Sequence, residues 1–170
     1  MRYFDIVRTN DVDENLANRL GYKKIFRAGT DIVLADNLNL PKGKRAIVAS
    51  KNPGILLKAL RDNNVIGIIL EDNEPIGKVV MVAKEYEKPI IIPLDGFKGQ
   101  QAMRQRTIYR IRKLLRVLLK ARAEVAFVTL AKDKNSLLSS GQMLRLSIFL
   151  GAGKEQAKRM LSIIGDAYAA

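Results

Sequence analysis

Gly96 to Ala123 is the most lopsided stretch of the chain. It holds nine basic residues (Lys98, Arg104, Arg106, Arg110, Arg112, Lys113, Arg116, Lys120, Arg122) and no acid. The formal charge of the whole protein is +13, so this window carries most of the excess. From Thr107 onward Ile108, Ile111, Leu114, Leu115 and Leu118 recur at three- and four-residue steps, the pattern of a helix with one buried face. At about 100° per residue, Arg106, Arg110, Lys113, Arg116 and Lys120 fall on the opposite face. A helix face that is merely solvated normally mixes signs, because Glu–Lys pairs four residues apart stabilise and like charges repel. A strip with no carboxylate on its own helix is suited to an external polyanion, and a nucleic-acid backbone is the leading example. Tyr109 lies among these cations, where it either stacks on a base or covers arginine stems.

Other chemistries fare worse. The chain contains no histidine and no cysteine, which removes the commonest general base, the commonest metal ligand and every thiolate site. Gly151-Ala152-Gly153-Lys154 suggests a phosphate loop, yet Ile148 stands where its first glycine belongs and Glu155 where Ser or Thr belongs. Gly96-Phe97-Lys98-Gly99 lacks the third glycine of a dinucleotide fingerprint. The paired acids Glu71-Asp72 and Glu85/Glu87 sit at element ends, where carboxylates are ordinarily solvated. Asp5 and Asp95 are the more interesting acids, each in or just after an expected strand; they are read either as loop caps or as a two-carboxylate Mg²⁺ site. No nucleophile–base pair is present, and Ser139-Ser140 reads as a helix cap.

The elements that must position the basic helix follow from short apolar runs. Strands are expected over Arg2–Val7, Lys23–Phe26, Asp31–Leu34, Arg45–Ala49, Val65–Leu70, Pro89–Pro93 and Val125–Thr129. Val65–Leu70 is continuously apolar, as a strand buried on both faces must be. Between them, Asn10 or Asp11 is expected to cap a helix reaching Leu20, and Asn52-Pro53 to start another. Glu74-Pro75 opens a third, Ser139 or Ser140 caps one ending near Gly151, and Gly153 precedes the last.

Strands alternating with helices over 170 residues, without repeats or a linker, predict a single α/β domain spanning residues 1–170 with parallel strands. About seven strands exceed what an open five-stranded sheet needs, while a complete (β/α)₈ barrel takes at least ~200 residues. A trimmed TIM-barrel-like fold, with seven strands and outer helices, is the expectation. Met1-Arg2-Tyr3-Phe4-Asp5 enters a strand directly, so no signal peptide is expected, and no apolar run approaches the ~18 residues of a membrane span. A cytoplasmic location is the expectation.

Several weak features occur together in a familiar order: Leu20-Gly21-Tyr22 leading into a strand, Ala46-Ile47-Val48-Ala49-Ser50 followed by Asn52-Pro53, the basic helix Arg104 to Arg122, and Leu150-Gly151-Ala152 ahead of a final amphipathic helix. This order resembles protein component 3 of archaeal and eukaryal ribonuclease P. Arg104, Lys113 and Arg116 coincide with basic positions of the family pattern. The resemblance implies a barrel-like fold related to metal-dependent phosphoesterases without their metal site. It also implies a non-catalytic subunit of the endonuclease that removes the 5′ leader of precursor tRNA. In that family the RNA carries the catalysis and uses the Mg²⁺, and component 3 pairs with component 2; no cofactor of its own is implied. Arg104, Arg106, Arg110, Lys113, Arg116 and Lys120 are then the candidate RNA contacts. One departure stands out: many members carry Arg-x-Pro-x-Asp where this chain reads Leu138-Ser139-Ser140-Gly141-Gln142.

Two other classes remain open at this stage. A small barrel enzyme would act on an acidic phosphorylated substrate through Asp5, Asp95 and a lysine, and would gather those groups at one barrel mouth. A structural RNA-binding module of another particle, such as the ribosome, would use the same basic helix.

Overall fold

The computed structural model describes residues 2–94 and 101–169, with side chains in the second span described from residue 105 onward. The described residues form seven short strands and six α-helices, and the expected alternation fails where β2, β3 and β4 follow one another through loops: β1 (Phe4–Val7), α1 (Glu14–Arg19), β2 (Lys24–Arg27), β3 (Val33–Ala35), β4 (Ala46–Ser50), α2 (Pro53–Ala59), β5 (Val65–Leu70), α3 (Gly77–Glu85), β6 (Ile90–Pro93), α4 (Gln101–Ala121), β7 (Val125–Val128), a 3₁₀ turn (Lys134–Ser136), α5 (Ser140–Leu150) and α6 (Lys154–Ala169). All paired strands are parallel; helices make the crossovers except between β3 and β4, which a loop joins.

The strands form two ladders, not one continuous sheet. β3-β4-β5-β6-β7 makes a five-stranded sheet and β1-β2 a separate pair. The α/β fold with parallel strands is as expected; among the described residues no closed barrel ladder forms. The reason is visible where β1 meets β7. Beyond Val128 the chain turns at Leu130, which adopts a left-handed conformation (φ 44). Leu130 N–H then donates to Ile6 O at 2.9 Å, and Arg8 N–H to Ala131 O at 2.8 Å. The Thr129 N–H, which a regular ladder would give to a carbonyl, goes to the Asp5 carboxylate instead. At the other edge, β2 runs on through a tight loop with Gly29 at φ 90 and a lone bridge between Ala28 and Ile32, just ahead of β3.

Both faces of the strands are buried. One set of side chains packs under the helices: Ile90 and Ile92 of β6 and Val125 and Phe127 of β7 meet Leu56, Val80, Ile111 and Leu118. The alternate set forms a second cluster drawn from every strand, with Ile6, Phe26, Ile47, Ile69, Ile91 and Val128 at its heart and Leu34 of β3 beside it. Ile163 and Ile164 of α6 belong to that inner cluster, and Ala157 and Leu161 of the same helix to the outer one. α6 therefore closes one end of the inner cluster. Its fit is tight: a Cβ at Gly165 would lie 2.2–2.4 Å from the Phe4 ring.

Helix boundaries follow local chemistry. α1 is capped by Asp13, whose carboxylate accepts from Leu16 N–H, so Asn10 and Asp11 lie ahead of the cap. Asn52 caps α2 with Pro53 in its first turn, as expected. α3 begins at Gly77 without a side-chain cap, two residues after the Pro75 that was expected to open it. Ser139 and Gln142 form a capping box on α5, and Gly151 ends it in a left-handed conformation.

Candidate nucleic-acid interface

α4 is pinned by its apolar stripe. Ile111, Leu114, Leu115 and Leu118 are all at most 1% exposed, each contributing roughly 1.5–3 kcal/mol of burial. With that face fixed, helix geometry turns Arg106, Arg110, Lys113, Arg116 and Lys120 to solvent, and all five are exposed. Arg106 to Lys120 spans about 21 Å along the axis at ~1.5 Å per residue. None of the ion pairs among the described residues involves α4. Neighbouring cations three or four residues apart cost roughly 0.2–0.5 kcal/mol per pair, a repulsion that a bound polyanion relieves. Tyr109 stands among them at 69% exposure.

Two other basic residues of the window have neighbours off the strip. Arg122 follows the helix in a left-handed conformation (φ 58) and lines a cavity with Glu87, Glu124 and Arg159. Arg112 turns toward α5: its guanidinium lies 4.6 Å from the centroid of the Phe149 ring, and its terminal nitrogen donates to Phe149 O at 2.7 Å. Arg104 lies within α4, with its side chain outside the described residues. Lys98 and the segment Gly96-Phe97-Lys98-Gly99 also lie outside them.

Phe149 was missed by sequence reasoning, which treated α5 only as a capped helix. Its signal was nevertheless present. Met143, Ser147 and Leu150 form the buried stripe of α5, which leaves Ile148 and Phe149 off that stripe and exposed. α5 also carries no acid, and none occurs from Lys134 to Lys154. α4 and α5 are in contact, and between them they expose three large apolar residues, Tyr109, Ile148 and Phe149.

Among the described residues the carboxylates do not assemble a site. Asp5 is 0% exposed. Its Oδ1 accepts from Ile6 N–H at 2.8 Å and Thr129 N–H at 2.7 Å, and its Oδ2 from the Thr129 hydroxyl at 2.6 Å. Burial pushes its pKa from 3.8 up to about 7, against the opposing pull of the bonds from Thr129 and Ile6. A substrate reaches this group only if the β1–β7 junction opens. Asp95, its proposed companion, lies outside the described residues. Asp72 pairs with Lys51 at 3.0 Å on the surface, and Glu85 and Glu87 are solvated. Among the described residues, no group of three or more acids, histidines or cysteines is placed to hold a metal ion.

The segment Leu138-Ser139-Ser140 has a structural job. Tyr22 is buried and donates its hydroxyl to Leu138 O at 2.9 Å, while Ser140 N–H donates to Leu20 O at 2.8 Å. Burial pushes the Tyr22 phenol well above its ordinary value, with the nearby Asp5 charge adding to the effect. Gly21, at φ 80, leaves no room for a side chain: a Cβ there would sit 2.4 Å from Ser140 Oγ. Leu20-Gly21-Tyr22 and Leu138-Ser139-Ser140 are thus one contact.

No family model matches this chain, and no curated protein matches it in sequence. Its fold is similar to that of a chain in the cryo-EM structure of archaeal Ribonuclease P with mature tRNA. The TM-score is 0.69 over 98% of this chain and 80% of that one, at 12% sequence identity. The likeness is one of fold. Among the described residues, no helix is long and apolar enough to cross a membrane.

Proposed function

We propose that this protein is a non-catalytic subunit of ribonuclease P, of the component 3 type, that binds the ribonuclease P RNA through α4. The observation that carries the reading is the exposed, acid-free strip from Arg106 to Lys120 on a fold similar over nearly its whole length to a chain of that ribonucleoprotein. The seven strands, sharing one inner cluster plugged by α6, are read as a trimmed TIM-barrel-like domain. Arg104, Arg106, Arg110, Lys113, Arg116 and Lys120 contact RNA phosphates. A component-2-type protein is the partner, and precursor tRNA is met through the holoenzyme, in the cytoplasm. This chain holds no cofactor; Mg²⁺ serves the catalytic RNA.

The physical role is charge. Folding an RNA catalyst brings phosphates together, and fixed cations from a protein pair replace part of the diffuse Mg²⁺ around it. Burial of Asp5 speaks against the small-enzyme reading, because both of its oxygens are already engaged.

The test is precursor-tRNA cleavage at limiting Mg²⁺ with the RNA alone, with each protein alone, and with this protein plus its component-2-type partner. Activation by the pair, reduced when Arg110, Lys113 and Arg116 become Ala, is the expected outcome. Cleavage by this protein without RNA defeats the assignment, and so does a cognate pair without effect at any Mg²⁺ concentration. Selective binding to another RNA, such as a ribosomal one, would move the protein to a different particle.

A further inference from the structure

The groove between α4 and α5 does something the open strip cannot. It is lined by Arg112, Leu115, Arg116, Leu119, Phe149 and Leu150 and encloses about 370 Å³. Phe149, 54% exposed, is held beneath the Arg112 guanidinium, which the bond to Phe149 O fixes in place. A preset arginine–aromatic stack beside a free arginine, on a face without acids, matches the two halves of a nucleotide: a planar base and an anionic phosphate. We propose that this groove takes one unpaired nucleotide of an RNA strand, its base extending the Arg112–Phe149 stack and its phosphate meeting Arg116.

The inference rests on α4 being an RNA contact and adds a selectivity to it. Phosphate contacts along the strip do not distinguish duplex from single strand, whereas stacking needs a base splayed out of its helix. A protein partner is the rival occupant. It is the weaker one, because the groove adjoins the acid-free cationic strip of α4, which suits a polyanion better than a protein surface of mixed charge. Phe149 shares the groove with Arg112 and Arg116.

The chain contains no tryptophan, so Phe149→Trp installs a single fluorescent reporter at the stacking position. The probes are a short oligoadenylate strand and an RNA duplex with the same number of phosphates. Quenching by the single strand and not by the duplex is expected. In the full-length protein, Phe149→Leu keeps the apolar bulk and removes the ring. It should weaken oligoadenylate binding on the order of tenfold, leaving duplex affinity and the salt dependence of both unchanged. Tryptophan emission indifferent to the single strand overturns the proposal, as does an equal loss for both RNAs in Phe149→Leu. So does a Phe149→Leu variant that binds both RNAs normally and loses the component-2-type protein, which gives the groove to a protein. The underlying strip reading fails differently: the unaltered protein then binds neither RNA, and both inferences fall together.

Discussion

Replacing Asp5 by Asn should remove a pH dependence of stability while leaving the fold intact. The amide reproduces the geometry of the carboxyl: its Oδ1 accepts from Ile6 and Thr129 N–H, and its nitrogen donates to Thr129 Oγ1, which now accepts where it had donated. In the native protein burial raises the Asp5 pKa from 3.8 to about 7. Between those values the folded chain holds a proton that the unfolded chain has released, so stability falls as pH rises through this window. At about 1.4 kcal/mol for each tenfold change in proton activity, the full drop is about 4 kcal/mol. That is a large part of the ~5–15 kcal/mol typical of a domain. The assay is denaturant unfolding from pH 4.5 to 8 on native protein and variant. The difference between the two curves cancels the other titrating groups. Asp5→Asn should lie near or below the native protein at pH 5 and above it by a few kcal/mol at pH 8. Parallel curves across the range would refute the reasoning, as would a variant destabilised equally at every pH. Asp5→Ala, by contrast, strands two buried N–H groups and should cost roughly 1–3 kcal/mol for each.

Conversion of Arg110, Lys113 and Arg116 to Ala should weaken RNA binding and flatten the log–log salt dependence, whose slope is about −0.7 to −0.9 per phosphate neutralised. An unchanged circular dichroism spectrum should accompany it, and equal affinity with equal slope would remove the strip from the RNA contact. Gly165→Ala forces a methyl into the Phe4 ring and should cost roughly 1–3 kcal/mol of overpacking, relieved when Phe4 is also cut to Ala; thermal melts of the single and double variants decide it. Calorimetry with Mg²⁺, Mn²⁺ and Zn²⁺ should show no tight stoichiometric binding, and a micromolar site lost in Asp5→Asn or Asp95→Asn would revive the enzyme reading.

The sequence by itself determined whatever depends on local periodicity. Seven strands were legible because runs such as Val65–Leu70 are apolar at every position, a pattern that suits a backbone buried on both faces. The basic face of α4 was legible because Ile111, Leu114, Leu115 and Leu118 fix the inward direction, and the cations then have only one way to point. Tertiary structure decided what depends on partners distant along the chain. Asp5 became a strut between strands only because Thr129, 124 residues away, delivers an N–H and a hydroxyl to it. Arg112 turns to α5 because Phe149, 37 residues on, offers a carbonyl and a ring. The seam between β1 and β7 is no regular ladder, because one carboxylate takes the Thr129 N–H that a strand neighbour would have bonded. A side chain's neighbours within a helix turn or strand are set by spacing along the chain. Its neighbours across the fold are set by where other elements bring their own donors, and spacing along the chain carries no record of that.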